Sequence, residues 1–234
     1  MSSNFIAQGK RRCIDIVFCI DGTGSMSPCF ENVKANARRF YADFSSTMTS
    51  MGSEIDMMRV KVIIFRDYLS DGSKSMVESP FFELPEEDAD FSAYLSDLRA
   101  EGGCGQDANG LEALYFAMKS DFVTGPNDRQ IIVLCADTTA IPLLKRRSCQ
   151  HYPSEMVDYD GLLELWLGSQ KYPSKLRQRN KRLVMFAPEG SIYDEMNKHF
   201  NRSVFQPVEI HNGLDDISFE KITKIIAASA SAAS

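Results

Sequence analysis

The 234-residue chain is 44% hydrophobic and 25% charged, an ordinary composition for one large α/β domain. Its formal net charge of −6 excludes sequence-independent nucleic-acid binding, which needs a dominant basic face to displace counterions from phosphates. No apolar run approaches the ~20 residues that span a bilayer. Met1–Arg12 carries Lys10, Arg11 and Arg12 without an apolar segment, so it does not read as a secretory signal; a cytoplasmic protein with no membrane or nucleic-acid partner is expected.

In chain order, residues 1–11 are an N-terminal extension and residues 12–228 a single domain. Apolar runs alternate with segments of helical period, the pattern of a mostly parallel sheet covered by helices on both faces, a Rossmann-like three-layer α/β/α arrangement. Strands are expected at Ile14–Ile20, Val60–Phe65, Ile131–Ala136, Arg182–Ala187 and Val204–Ile210, with a short antiparallel edge strand at Phe81–Leu84. The first helix opens at Ser27-Pro28, a capping hydroxyl followed by proline at the first helical position. Phe30, Val33, Ala37, Phe40, Phe44 and Met48 give it one core-facing stripe. Leu111, Leu114, Tyr115 and Met118 mark a middle helix, Leu162–Leu167 one holding the only Trp, and Phe219, Ile222, Ile225 and Ile226 the last.

Residues 145–181 are atypical, alternately basic and apolar, with Lys145-Arg146-Arg147, the loop Cys149–Pro153 containing His151, and Lys171, Lys175, Arg177, Arg179 and Lys181. They read as a solvated face, or, if gathered at the ligand end of the sheet, as a cationic collar for an acidic or phosphorylated partner. The Ala/Ser tail, residues 229–234, has too little apolar bulk to order itself. The six cysteines show no zinc-knuckle or redox spacing and are expected as reduced thiols.

The richest stretch lies at the end of the first strand. Asp21, Thr23 and Ser25 stand at i, i+2 and i+4 in a Gly-containing loop, which can turn three hard oxygens toward one divalent cation. Asp137-Thr138-Thr139 follows the strand Ile131–Ala136, and Gly102-Gly103-Cys104-Gly105-Gln106-Asp107 precedes the middle helix. In an open α/β sheet such loops converge at the carboxyl ends of the strands.

In these three motifs and their order the chain resembles a von Willebrand factor type A domain with a metal-ion-dependent adhesion site. The resemblance covers roughly residues 12–226. It implies a metal set of Asp21, Thr23, Ser25, Asp107 and Asp137 holding Mg²⁺ or Mn²⁺, and a protein partner at the metal face. Asp107 stands where adhesion-type members have Thr; a third carboxylate neutralises the ion further and weakens its pull on a partner's acidic side chain. The loop is closer in pattern to bacterial intracellular members, which implies a scaffold or regulatory role in signalling or stress response beside a protein kinase, phosphatase or ATPase encoded nearby. No nucleophile–base pair is evident, so a non-enzymatic module is expected. Two alternatives stand beside it: a Mg²⁺-dependent phosphotransferase or phosphohydrolase, for which no phosphate loop ending in Lys-Ser/Thr is present, and a structural domain with an empty site.

Overall fold

A computed structural model describes residues 12–103 and 107–232. The elements follow in the order β1 (Cys13–Asp21), α1 (Ser27–Ser50), β2 (Met57–Phe65), β3 (Met76–Glu78), β4 (Phe82–Leu84), α2 (Asp88–Asp97), α3 (Gly110–Lys119), β5 (Arg129–Cys135), α4 (Tyr159–Leu167), β6 (Lys181–Pro188), α5 (Ile192–His199), β7 (Ser203–Val208) and α6 (Phe219–Ser231). They form one sheet of order β3-β2-β1-β5-β6-β7, parallel from β2 to β7, with β3 and β4 both antiparallel to β2.

The interior strands are buried on both faces, which is why they read as continuous apolar runs. Along β1, Ile14, Ile16 and Ile20 enter one core with α1, α2 and α6, while Val17 and Cys19 enter the other with α3, α4 and α5. Ile131 and Val133 divide from Ile132 and Leu134 in the same way on β5. Asp15, inside β1, is balanced by a two-pronged pair with Arg59 on β2, at 2.8 and 2.6 Å. No described helix is long and apolar enough to cross a membrane.

The predicted strands and their parallel pairing are observed, but the sheet has seven strands rather than six. The additional β3 is three residues long, too short to show a period. Helices α2 and α5 were absent from the sequence reading. Ser27 does not cap α1: a 3₁₀ turn at Gly24–Met26 leads directly into the helix, and Ser27 is its first residue. Chain that turns Thr23 and Ser25 toward the sheet end reaches helical geometry before Ser27, leaving the serine no capping role.

The tail expectation is corrected for its first part, because α6 runs through Ser231 with Ala230 fully buried. Three guanidiniums hold that helix end. Arg129 Nε donates to the Ala230 carbonyl at 3.0 Å and Arg12 Nη2 to the same oxygen at 3.2 Å, while Arg182 donates to Ser229 O at 3.0 Å and Ala232 O at 2.9 Å. Cations suit the orphan carbonyls and partial negative charge of a helix C-terminus, so order comes from distant arginines and not from the tail's own bulk. Residues 1–11 and 233–234 lie outside the described residues.

Candidate functional site

The connections from β1 lead one way to β2 and, after α3, the other way to β5, so the switch in strand order falls between β1 and β5. Ligands gather at such a point, outside the carboxyl ends of the strands. The register pairs Ile20 with Cys135, which brings Asp21, at the end of β1, level with the chain that carries Asp137 just beyond β5. Both aspartates are fully buried.

Asp21 organises its own loop. Its Oδ1 accepts the Thr23 N–H at 2.9 Å, and its Oδ2 accepts the Thr138 hydroxyl at 3.4 Å. The Thr23 and Ser25 hydroxyl oxygens lie 3.4 Å apart. Two glycines let neighbouring chain close over them: a Cβ on Gly103, at φ +78°, would stand 2.8 Å from Thr23 Cγ2, and one on Gly213, at φ +56°, would stand 2.5 Å from the Ser25 carbonyl. Gly213 also donates its N–H to Asp137 Oδ2 at 3.2 Å, whereas Asp137 Oδ1 is buried without a hydrogen-bond partner.

No protein-family model matches the sequence, and no curated protein is similar to it in sequence. The backbone is similar to the pilus adhesin SpaC from Lactobacillus rhamnosus GG, with a TM-score of 0.54 and 12% identity over 96% of this chain and 31% of the adhesin. It is also similar to a von Willebrand factor type A structure from Catenulispora acidiphila, with a TM-score of 0.52 and 12% identity over 94% of this chain and 43% of that one. This chain has a von Willebrand factor type A-like fold. At 12% identity the likeness is one of fold alone, and the chain spans about a third of the adhesin and less than half of the second structure.

Within this type A-like domain the predicted residues are distributed unequally. Asp21, Thr23, Ser25 and Thr138 are joined by hydrogen bonds, and the Asp137 charge is felt at Asp21. Asp107 is half-buried and lines a cleft that also includes Thr138 and His211. Among the described residues no group of three or more His, Cys, Asp or Glu is placed to hold a metal ion. Any ion at this point therefore relies on hydroxyl oxygens as well as carboxylates. Burial pushes the Asp21 carboxyl up to about 6, the neighbouring Asp137 adding to the rise and the bonds from Thr23 and Thr138 opposing it.

The residue that the sequence reading missed is Arg66, just past β2. It is 6% exposed, and it donates to the carbonyls of Gly22 (3.0 Å), Glu101 (2.9 Å), Lys74 (2.9 Å) and Arg99 (2.8 Å). It thereby ties the Asp21 loop to the loop that leads toward Asp107. Three members of the basic stretch are engaged within the fold. Arg146 makes a two-pronged pair with buried Asp67 at 2.7 and 2.8 Å, Lys175 pairs with Asp121, and Lys181 is buried at the start of β6, the opposite end of that strand from the site. His151 is exposed beside Gly72 and is not part of the cleft; the histidine that lines it is His211. Cys104 lies outside the described residues, and the other five cysteines are free thiols.

Proposed function

We propose that the domain is a non-enzymatic, metal-dependent protein-interaction module, in which Asp21, Thr23, Ser25 and Asp137 hold Mg²⁺ or Mn²⁺ and a protein partner docks over the ion, while Asp107 lines the cleft beside it. One observation carries the reading: Asp21 and Asp137 are both fully buried, close enough for one charge to raise the other's pKa, and neither forms an ion pair with a described residue. Two other buried acids, Asp15 and Asp67, are by contrast ion-paired, with Arg59 and Arg146. Two uncompensated buried carboxylates are costly, and the free Asp137 Oδ1 is the acceptor that a cation would use. The donor set is made of hard oxygens with no thiolate or imidazole, which fits Mg²⁺ or Mn²⁺ rather than a softer metal. When bound, the ion supplies a positive contact point for an oxygen of the partner.

The non-enzymatic reading is supported by the thiols: burial drives Cys19 upward and Cys29 up to about 12, which keeps both protonated and poorly nucleophilic. A scaffold or regulatory role in cytoplasmic signalling or stress response, with a kinase, phosphatase or ATPase as partner, rests on the family resemblance. Calorimetric titration of chelator-stripped protein with Mg²⁺ is expected to show one saturable site that disappears in Asp21→Ala. A pull-down from cell extract is expected to lose its specific partner when chelator is added. No heat at millimolar metal, or undiminished binding by the variant, contradicts the proposal.

A further inference from the structure

The cleft beside the Asp21 loop has a volume of about 280 Å³, below the roughly 300–1,000 Å³ of clefts that engulf a whole small-molecule ligand. It suits a single side chain. Asp107 and Glu189 line it, Ile210 forms an apolar rim at 62% exposure, and no Lys or Arg is among its lining residues. Ser191 is 5% exposed, and its hydroxyl oxygen is buried without a hydrogen-bond partner. Thr138 has given its hydroxyl hydrogen to Asp21, so it turns lone pairs outward. The lining is thus rich in acceptors and negative in charge.

Helix α5 begins at this cleft, and the positive end of a helix ordinarily favours an anion. Here that pull is spent internally. The Ile192 N–H is taken by Thr139 Oγ1 at 3.2 Å and the Asp194 N–H by Ser191 O at 3.1 Å, while the Gly190 N–H goes to the Asp194 carboxylate at 3.2 Å. Asp194 and Glu195 occupy the first turn and cancel the partial positive charge. His211 is the one basic side chain in the lining.

We infer that this cleft is a subsite for a basic side chain of the docking partner, an arginine above all. A guanidinium offers five donors in a planar fork, matching the Asp107 and Glu189 carboxylates at the mouth and the unpaired Ser191 oxygen within. A divalent ion at the neighbouring site is offset by Asp21 and Asp137, so it leaves the charge of the cleft acidic. The role of this subsite in partner docking rests on the metal-dependent reading above, but arginine capture does not itself require the ion.

The test titrates the full chain with N-acetyl-arginine amide and with its neutral isostere N-acetyl-citrulline amide, following the Gly190 and His211 amide resonances by NMR, first in chelator and then in Mg²⁺. Saturable millimolar binding of the arginine amide in both conditions is expected, with citrulline binding at least tenfold weaker. Glu189→Lys, at an exposed position, is expected to weaken arginine binding about tenfold, since one attractive charge becomes repulsive, and to leave calorimetric Mg²⁺ binding unchanged. Equal binding of citrulline, no saturation, or no effect of Glu189→Lys overturns the inference. Metal binding intact without an arginine response overturns the cleft alone; an arginine response without metal binding overturns the metal reading and leaves the cleft standing.

Discussion

Asp21→Asn is expected to make the metal-free protein more stable by about 3 kcal/mol near pH 7.5, while removing its Mg²⁺ binding. The gain arises because a buried carboxylate with no cation is being neutralised. In the folded protein the Asp21 carboxyl is pushed up to about 6, whereas an unfolded Asp titrates near ~3.9. Between about pH 4 and pH 6 the folded state therefore holds a proton that the unfolded chain has released, so stability falls as pH rises through this window and the cost is complete above it. Roughly two pKa units at 1.36 kcal/mol each set the scale. Asn keeps the Oδ1 acceptor for the Thr23 N–H, and the Thr138 hydroxyl can rotate to accept from the new amide.

Glu112 on α3 complicates a simple pH scan, because burial pushes it up to about 7 and it contributes a dependence of the same sign. The difference between wild type and Asp21→Asn isolates Asp21. Urea unfolding in chelator is expected to show the variant ahead at neutral pH and the gap closing by about pH 4. Saturating Mg²⁺ should then reverse the order, since only the wild type gains binding energy. A variant less stable than wild type at neutral pH in chelator would contradict the account of Asp21 as an uncompensated buried charge.

Arg66→Met is expected to destabilise the fold by about 3–5 kcal/mol and to lower Mg²⁺ affinity. Charged hydrogen bonds contribute roughly 1.5–3 kcal/mol each, and this guanidinium makes four, all to backbone carbonyls. Relief from burying a charge offsets part of that loss. Because two of the acceptors are Gly22 O and Glu101 O, the change also frees the Asp21 loop from the loop approaching Asp107. Arg66→Lys should not rescue it, since an ammonium has three donors on one atom and cannot span carbonyls on three separate segments. Urea unfolding and metal titration check both effects; an Arg66→Met protein with wild-type stability would show that the loops are held by other contacts.

The type A-like architecture was legible in the sequence because its signals are local. Both-face burial makes the middles of β1, β5 and β6 apolar runs, and α1 shows its stripe over about five turns. The Asp21, Thr23 and Ser25 loop was legible for the same reason, being contiguous. What escaped depends on tertiary contact. The α6 tail is ordered by Arg12, Arg129 and Arg182, each far away in sequence, and its Ala/Ser composition gives no hint of them. Arg66 looks like any charged residue after a strand, and only the convergence of Gly22, Lys74, Arg99 and Glu101 around it shows its role. His211 and Ser191 follow β7 and β6 without a motif, so nothing local marks them as neighbours of Asp107. Short β3 carries no period, and α5 has only two turns in which to show one.

The central claim is that one divalent ion sits between the end of β1 and the end of β5, held by hydroxyl and carboxylate oxygens together. Crystals of the protein soaked in Mn²⁺ and measured for anomalous scattering test it most directly. The account predicts one strong anomalous peak within about 2.3 Å of the Thr23 and Ser25 hydroxyls and in contact, directly or through one water, with the Asp21 and Asp137 carboxylates. A map with no peak there, or with the manganese bound only at surface carboxylates such as Asp121, would contradict it.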